Sequence, residues 1–162
     1  MKKILLLVSV VLMSLTACTS DGIPAKISDK AASLTEVTQV KPTYIVELIQ
    51  NKASFVFYFG NSWCSACQYM KPINDEVVRR TGYPMYLIEM DKTSKAQLAK
   101  IFAIVTTPAA TPTYVVVIDG VVKDSFTPDI LVGDDTGFND AHINLYTVNL
   151  IKALTDKGLI TQ

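Results

Sequence analysis

The sequence has few of the side chains that hold metal ions. It contains one histidine, His142, and three cysteines, Cys18, Cys64 and Cys67, among 162 residues. A structural zinc site takes four ligands, most often cysteine and histidine. Cys64 and Cys67 would supply half of such a site, and the chain has no second pair to complete it. We therefore predict that the protein binds no metal.

An excess of charge of either sign is also lacking. Lysine and arginine together number 15, aspartate and glutamate together number 15, and the formal net charge is zero. No long run of one sign interrupts this balance. A nucleic-acid-binding protein needs a basic face to meet the phosphate backbone. The composition therefore predicts no nucleic-acid partner.

The N-terminal apolar run is too short to cross a membrane comfortably. It covers residues 4–13, follows Lys2 and Lys3, and so has the pattern of a signal peptide. The next residues, Leu15-Thr16-Ala17-Cys18, resemble the lipobox of bacterial lipoproteins, in which the cysteine is lipidated and becomes the first mature residue. An ordinary secretory signal with an incidental cysteine is the alternative interpretation.

Three segments follow from this interpretation. Residues 1–17 would be a lipoprotein signal peptide, residues 18–33 the lipidated Cys18 with a flexible polar tether, and residues 34–162 one folded domain. The lipid on Cys18 would hold the protein to a membrane in the cell envelope, facing outside the cytoplasm. Exported compartments of this kind permit disulfide bonds.

Cys64 and Cys67 are then left as an isolated pair, separated by Ser65-Ala66. They can form a disulfide only with each other or with another protein. A disulfide that closes so small a loop contributes little stability, because little chain entropy is removed from the unfolded state. The pair is therefore better explained by redox chemistry than by a structural role.

The surroundings of the pair fit that chemistry. Residues 55–59 are rich in aromatic and β-branched side chains and predict a buried strand, whereas residues 68–80 predict a helix. Cys64 would lie at the N-terminus of this helix, where free N–H groups and the helix dipole stabilise a thiolate. Cys67, one turn later on the same face, would be placed to attack a mixed disulfide on Cys64.

The remaining pattern predicts an α/β domain. Expected elements are a short edge strand within 34–40, a helix over 42–51, a strand over 85–90, a helix over 94–104, a hairpin of 114–118 and 121–126, and a helix over 141–154. The polar, glycine-rich and aspartate-rich residues 127–139 form an insertion before the last helix.

This order of elements resembles the thioredoxin family over most of the predicted domain. Trp63 precedes the first cysteine as in thioredoxins, and Pro72 lies where the family's active-site helix contains a proline. Thr111-Pro112, just before a strand, matches the family's cis-proline position, and Asp119-Gly120 matches the turn between the last two strands. The resemblance implies a three-layer fold with a central mixed sheet of four or five strands flanked by helices.

The resemblance also implies roles for individual residues. Cys64 and Cys67 would be catalytic, and Trp63, Thr111 and Pro112 would form the wall that holds the substrate, with the Thr111 hydroxyl placed to bond a thiolate. The redox-active Cys64–Cys67 disulfide would serve in place of any separate cofactor.

Two departures from the family leave questions open. Cytoplasmic thioredoxins carry a buried acid six residues before the first cysteine, and this chain has Tyr58 there. The group that deprotonates Cys67 is therefore not evident. Ser65-Ala66 replaces the Gly-Pro of thioredoxins, and because these residues tune the redox potential, the direction of electron flow is open as well.

Three functions remain as hypotheses. The first is an extracytoplasmic, membrane-tethered thiol–disulfide oxidoreductase that acts on exported proteins bearing thiols or disulfides and exchanges electrons with a redox partner not yet identified. The second is a thioredoxin-fold accessory or binding module for one exported client, such as a bacteriocin system. The third is a structural lipoprotein whose cysteine pair stays permanently oxidised.

Overall fold

The computed structural model describes residues 35–129 and 139–160. The predicted signal peptide, Cys18, the tether and residues 130–138 of the insertion lie outside these ranges. The elements in chain order are β1 (Thr38–Gln39), α1 (Pro42–Gln50), β2 (Phe55–Gly60), α2 (Ser65–Thr81), β3 (Met85–Glu89), a 3₁₀ helix (Met90–Lys92), α3 (Lys95–Phe102), β4 (Thr113–Ile118), β5 (Val121–Phe126) and α4 (Asp140–Asp156). Within the described ranges no helix combines the length and apolarity needed to cross a bilayer.

The strands form one mixed five-stranded sheet in the order β1-β3-β2-β4-β5. β1 and β2 both pair with β3 in parallel, whereas β4 pairs antiparallel with β2 and with β5. All six residues of the central strand β2 are buried. The predicted fold class is confirmed, with five strands.

β2 divides the core into two halves because its side chains alternate between the faces of the sheet. Phe57 and Phe59 face one side and pack in a cluster with side chains of α1 and α3. Val56 and Tyr58 face the other side and pack with side chains of α2 and α4. The result is the expected three-layer arrangement, with the sheet between two layers of helices.

The hairpin between β4 and β5 is fixed by its two turn residues. Asp119 and Gly120 both have positive φ, 52° and 73°, which suits a tight two-residue turn between twisted strands. A Cβ on Gly120 would lie 2.3 Å from the carbonyl oxygen of Ile49. Glycine at this position therefore lets the hairpin lie against the end of α1.

The single histidine belongs to a helix cap. Asn139 Oδ1 accepts hydrogen bonds from the N–H groups of Ala141 and His142, at 3.0 and 3.1 Å. His142 Nδ1 in turn accepts the Asn139 N–H at 3.5 Å, which completes a capping box at the start of α4. This reciprocal pair satisfies N–H groups that have no partner within the helix.

Helix boundaries differ from the sequence-based prediction by up to three residues at the starts and up to two residues at the ends. α2 begins at Ser65, three residues before the predicted start, because the Cys64 side chain caps it. α3 begins one residue late, after Ser94, whose Oγ accepts the N–H of Gln97 at 3.3 Å. The edge strand is confirmed, but only Thr38–Gln39 pair with β3.

Candidate active site

Cys64 and Cys67 form a disulfide at the N-terminus of α2, with their Cα atoms 5.2 Å apart. Cys64 is the N-cap residue, and its Sγ accepts the backbone N–H of Cys67 at 3.1 Å. In the reduced state this N–H and the positive end of the helix dipole would both favour a thiolate on Cys64. The predicted placement of Cys64 at the helix N-terminus is thus confirmed.

The loop before β4 forms one wall of the site. The Thr111–Pro112 peptide bond is cis, as the resemblance implied. Cys64 Sγ lies 3.3 Å from the carbonyl oxygen of Thr111. The Thr111 hydroxyl does not take the expected place beside the sulfur. Instead, it accepts a hydrogen bond from Asn61 Nδ2 at 3.4 Å, and the main-chain carbonyl is the Thr111 group at the sulfur.

Asp91 holds the loop that precedes Cys64, and sequence reasoning missed it. Its carboxylate accepts the backbone N–H of Ser62 at 3.1 Å and also the Ser62 hydroxyl. The hydroxyl donation lowers the pKa of the Asp91 carboxyl. Asp91 could have been found from its place in the sequence, because it follows β3. The carboxyl ends of the neighbouring parallel strands β2 and β3 meet at one edge of the sheet.

The two sulfurs differ in what they face. Cys64 is only 8% exposed and faces the Thr111 carbonyl. Cys67 is half-buried and lines a pocket of about 260 Å³, whose other lining residues include Gly60, Glu89, Lys71 and Gln68. Cys64 does not line that pocket. Each sulfur therefore has its own surroundings, a loop for Cys64 and a pocket for Cys67.

Trp63 is the most exposed large apolar side chain next to the pair, with 74% of its surface accessible. Single exposed apolar residues are common on protein surfaces and need no special account. An exposed tryptophan directly beside a disulfide is different, because tryptophan is enriched among the residues that dominate protein–protein binding. Trp63 thus leaves an apolar surface exposed beside the cysteine pair.

Tyr58 occupies the position of the family's buried acid and cannot act as a base. Its side chain is 2% exposed. Burial raises the pKa of the Tyr58 hydroxyl to about 12, and the nearby carboxylates of Asp75 and Glu89 contribute in the same direction. Tyr58 therefore keeps its proton at neutral pH.

A buried contact links the two walls of the site. Tyr114, the second residue of β4, donates its hydroxyl to Asn74 Oδ1 on α2 at 2.7 Å, and both residues are fully buried. The Tyr114 ring also stacks on Tyr58 and Phe126, with centroid separations of 5.1 and 5.5 Å. β4 follows the cis-proline loop directly, so Tyr114 ties that loop's strand to the helix that carries Cys67.

Comparison with known protein families shows which family this chain belongs to. The family model "Thioredoxin" matches residues 35–127, which is more than half of the chain. This chain belongs to the thioredoxin family. It is therefore a protein-disulfide oxidoreductase with Cys64 and Cys67 as its CxxC pair, and its substrates are proteins that carry thiols.

Solved structures agree with this fold. Thioredoxin O1 from Arabidopsis thaliana, in the oxidised state, is similar with a TM-score of 0.52 and 20% identity, over 78% of this chain and 99% of that chain. Mitochondrial thioredoxin 3 from Saccharomyces cerevisiae, also oxidised, gives 0.51 and 20%, over 74% and 94%. Thioredoxin F from spinach chloroplast gives 0.52 and 16%, over 79% and 93%. No curated protein sequence is significantly similar to this thioredoxin-family chain.

Across residues 35–129 and 139–160, no three histidine, cysteine, aspartate or glutamate side chains converge into a metal-binding group. The cysteine pair also has no further cysteine within those ranges to bond with. The chemistry that the family and the cysteine pair support is dithiol–disulfide exchange between Cys64, Cys67 and a client.

Proposed function

We propose that this thioredoxin-family protein is a lipid-anchored thiol–disulfide oxidoreductase of the cell envelope, which exchanges disulfides with exported proteins. The observation that supports the redox step is the Cys64–Cys67 disulfide at the helix N-terminus, beside the cis-proline loop. The anchoring rests on the sequence alone, on Lys2-Lys3, the short apolar run and the lipobox-like residues that end at Cys18.

The chemistry proceeds in two exchange steps. In the reducing direction the Cys64 thiolate attacks a client disulfide, forms a Cys64–client mixed disulfide and releases one client sulfur as a thiolate. The Cys67 sulfur then attacks Cys64, which forms the Cys64–Cys67 disulfide and releases the second client sulfur. Two electrons pass to the client. In the oxidising direction the same steps run backwards.

The redox potential of the Cys64–Cys67 couple decides the direction. This potential can be measured by equilibrating the protein with glutathione buffers. The fluorescence of Trp63, the one tryptophan in the chain, would report the redox state. A potential of about −270 mV would indicate a reductase, and a potential of about −120 mV would indicate an oxidase. Failure of glutathione and dithiothreitol to open the pair in the folded protein would contradict the proposal and favour a permanently oxidised structural lipoprotein.

Trapping in cells tests the range of clients. The variant Cys67→Ala can form the mixed disulfide on Cys64 but cannot resolve it. We expect this variant to accumulate mixed disulfides with several envelope proteins, which separate under reducing electrophoresis. A single dominant partner would instead support the accessory role for one exported client. Cys64→Ser/Cys67→Ala, which lacks both thiols, is the matched control and should trap none.

Replacing Trp63 tests whether the rim of the site contacts protein clients. We expect Trp63→Ala to lower kcat/KM for insulin about tenfold, which corresponds to about 1.4 kcal/mol of lost binding. The free energy of unfolding should change by less than about 0.5 kcal/mol, because the side chain is largely exposed. Reaction with Ellman's reagent, which is too small to use this contact, should be unaffected. Equal losses with insulin and Ellman's reagent would contradict a client-binding role.

Replacing Cys18 tests the proposed lipid anchor. We expect Cys18→Ser to abolish incorporation of radiolabelled palmitate and to move the protein from the membrane fraction to the soluble extracytoplasmic fraction. The physical reason is that the N-terminal run is too short for stable spanning, so the acyl chains supply the membrane affinity. Fractionation of cells that express either form gives the readout. Unchanged membrane retention of Cys18→Ser would show that another segment holds the protein.

A further inference from the structure

Cys67 must lose a proton before it can resolve a mixed disulfide. An ordinary cysteine thiol has a pKa of about 8.5, so at neutral pH it is mostly protonated and a poor nucleophile. The residue at the position of the family's acid is Tyr58, and it retains its own proton. A base for Cys67 must therefore come from another part of the fold.

The register between β2 and β3 brings a carboxylate to the face of the sheet where Cys67 lies. Gly60 pairs with Glu89, and Tyr58 pairs with Leu87 two residues earlier. Residues in register on adjacent parallel strands point to the same face of the sheet. Tyr58 and Leu87 pack against the core that α2 covers. Glu89 therefore points to that same face, one pleat nearer to the cysteine pair.

Gly60 leaves space open beside Cys67 Sγ, in the pocket that Glu89 also lines. A Cβ at Gly60 would lie 3.6 Å from Cys67 Sγ and 3.0 Å from Leu87 Cδ1. Because glycine carries no side chain, this volume belongs to the pocket of about 260 Å³ that Cys67 and Glu89 both line. One water molecule needs roughly 10–15 Å³ of such volume. The pocket has room for several.

Among the described residues that line the pocket with Cys67, Glu89 is the one titratable group that can act as a base. The other two are Tyr58 and Lys71. Lys71 donates to Asp75 at 2.7 Å, and this bond raises the pKa of its ammonium group, so it stays protonated. Burial keeps Tyr58 protonated as well. Neither can accept a proton at neutral pH.

Two contacts hold the Glu89 carboxylate in place. Oε2 accepts Gln39 Nε2 at 2.6 Å and pairs with Lys92 Nζ at 2.8 Å. The side chain is 14% exposed. The carboxylate therefore has a fixed orientation at the wall of the pocket that Cys67 also lines.

We propose that Glu89 accepts the proton of Cys67 through water in this pocket, which makes it a positioning and proton-transfer residue for the resolving step. The inference rests on the resolving role of Cys67 in the proposed function. The Cys67 thiol gives its proton through water to Glu89, and its sulfur forms a bond to Cys64. The client sulfur leaves with the electron pair of the broken Cys64–client bond, and Glu89 later releases the proton to solvent.

Several titratable groups line the pocket with Cys67 or interact with residues that line it, and they set the electrostatic background of this step. They are Tyr58 from β2, Lys71 and Asp75 from α2, Glu36 from the segment before β1, and Glu89, Asp91 and Lys92 from the end of β3. Lys71 with Asp75, and Lys92 with Glu89, are ion pairs. Glu89→Gln keeps the size of the side chain, and its amide oxygen can still accept Gln39 Nε2, but the substitution removes the basic carboxylate and with it the ion pair to Lys92.

The two steps can be timed separately with Ellman's reagent and the reduced protein in a stopped-flow instrument. Attack by Cys64 releases the first thionitrobenzoate, and attack by Cys67 on the mixed disulfide releases the second. We expect Glu89→Gln to slow the second release about 100-fold at neutral pH, at the lower end of the usual contribution of a general base. The first release should be unchanged. Above the usual thiol pKa, Cys67 ionises without help, so the difference should disappear.

Two further variants separate the base from general structural damage. Gly60→Ala keeps Glu89 but places a methyl group in the pocket, 3.6 Å from Cys67 Sγ, and should slow the second release only. Glu47→Gln, the same substitution at an exposed carboxylate on α1, should change neither release. A second release in Glu89→Gln that is unchanged at neutral pH, or equally slow at high pH, would overturn the role of Glu89. Absence of the first release in the parent protein would instead overturn the nucleophilic role of Cys64.

Discussion

Replacing Cys64 by serine should abolish disulfide reduction by this protein. In the insulin reduction assay we expect Cys64→Ser to lose on the order of 10³-fold or more of the parent activity, as expected when a covalent nucleophile is removed. Serine keeps the position at the N-cap of α2, and its oxygen can still accept the Cys67 N–H. Its hydroxyl, however, does not ionise at neutral pH and cannot form a disulfide.

The matched control is the same substitution at Cys18, the cysteine outside the pair. Cys18→Ser should leave insulin reduction by the purified protein intact, because the redox step uses only the pair at the start of α2. Cys67→Ala should be as inactive in turnover as Cys64→Ser, but it should still release one equivalent of thionitrobenzoate from Ellman's reagent. Full insulin reduction by Cys64→Ser would contradict the assignment of this site.

The position of the cysteine pair could be predicted because it depends on local sequence. The aromatic and β-branched residues 55–59 predict a buried strand, and the helix formers that follow predict where the chain turns into a helix. Two thiols at that junction need no long-range information to be placed at a helix N-terminus. The structure confirms this placement, with Cys64 as the N-cap of α2.

The pocket beside Cys67 could not be predicted in the same way. Near the pair in sequence, the only acids are Asp75 and Glu76, and both lie further along α2. The structure pairs Asp75 with Lys71 at 2.7 Å and Glu76 with neighbouring arginines. Glu89 reaches the pocket only through the register of β2 with β3. That register arises from burial of both strands over their length, which no short motif records.

The loop at Thr111–Pro112 could be predicted only in part. The resemblance to thioredoxins located the loop, but it did not indicate which Thr111 atom lies beside the Cys64 sulfur. The expected group beside the sulfur was the Thr111 hydroxyl. Asn61 Nδ2 donates to this hydroxyl at 3.4 Å, whereas the Thr111 carbonyl oxygen lies 3.3 Å from Cys64 Sγ. Which of two polar atoms on one residue faces a neighbour depends on side-chain partners contributed by another segment. In this chain that segment is the turn after β2.

Tyr114 has the largest expected effect on stability among the residues that shape the site. We expect Tyr114→Ala to lower the free energy of unfolding by about 3–5 kcal/mol, the usual cost of truncating a buried aromatic residue. The ring is fully buried and stacks on Tyr58 and Phe126, so its loss would leave a cavity between the sheet and α2. Urea unfolding of the oxidised protein measures the change. Val121→Ala, at an exposed position on the adjoining strand, should change it by less than about 0.5 kcal/mol.

Tyr114→Phe separates packing from hydrogen bonding at the same position. Phenylalanine keeps both stacking contacts but leaves Asn74 Oδ1 without the donor that now lies 2.7 Å away. A buried acceptor that loses its partner costs about 1–3 kcal/mol. The loss for Tyr114→Phe should therefore be smaller than that for Tyr114→Ala, and insulin reduction should persist, because the ring still holds β4 against α2. If Tyr114→Phe cost as much as Tyr114→Ala, the hydrogen bond to Asn74, rather than the packed ring, would be what joins the proline loop's strand to the helix of the cysteine pair.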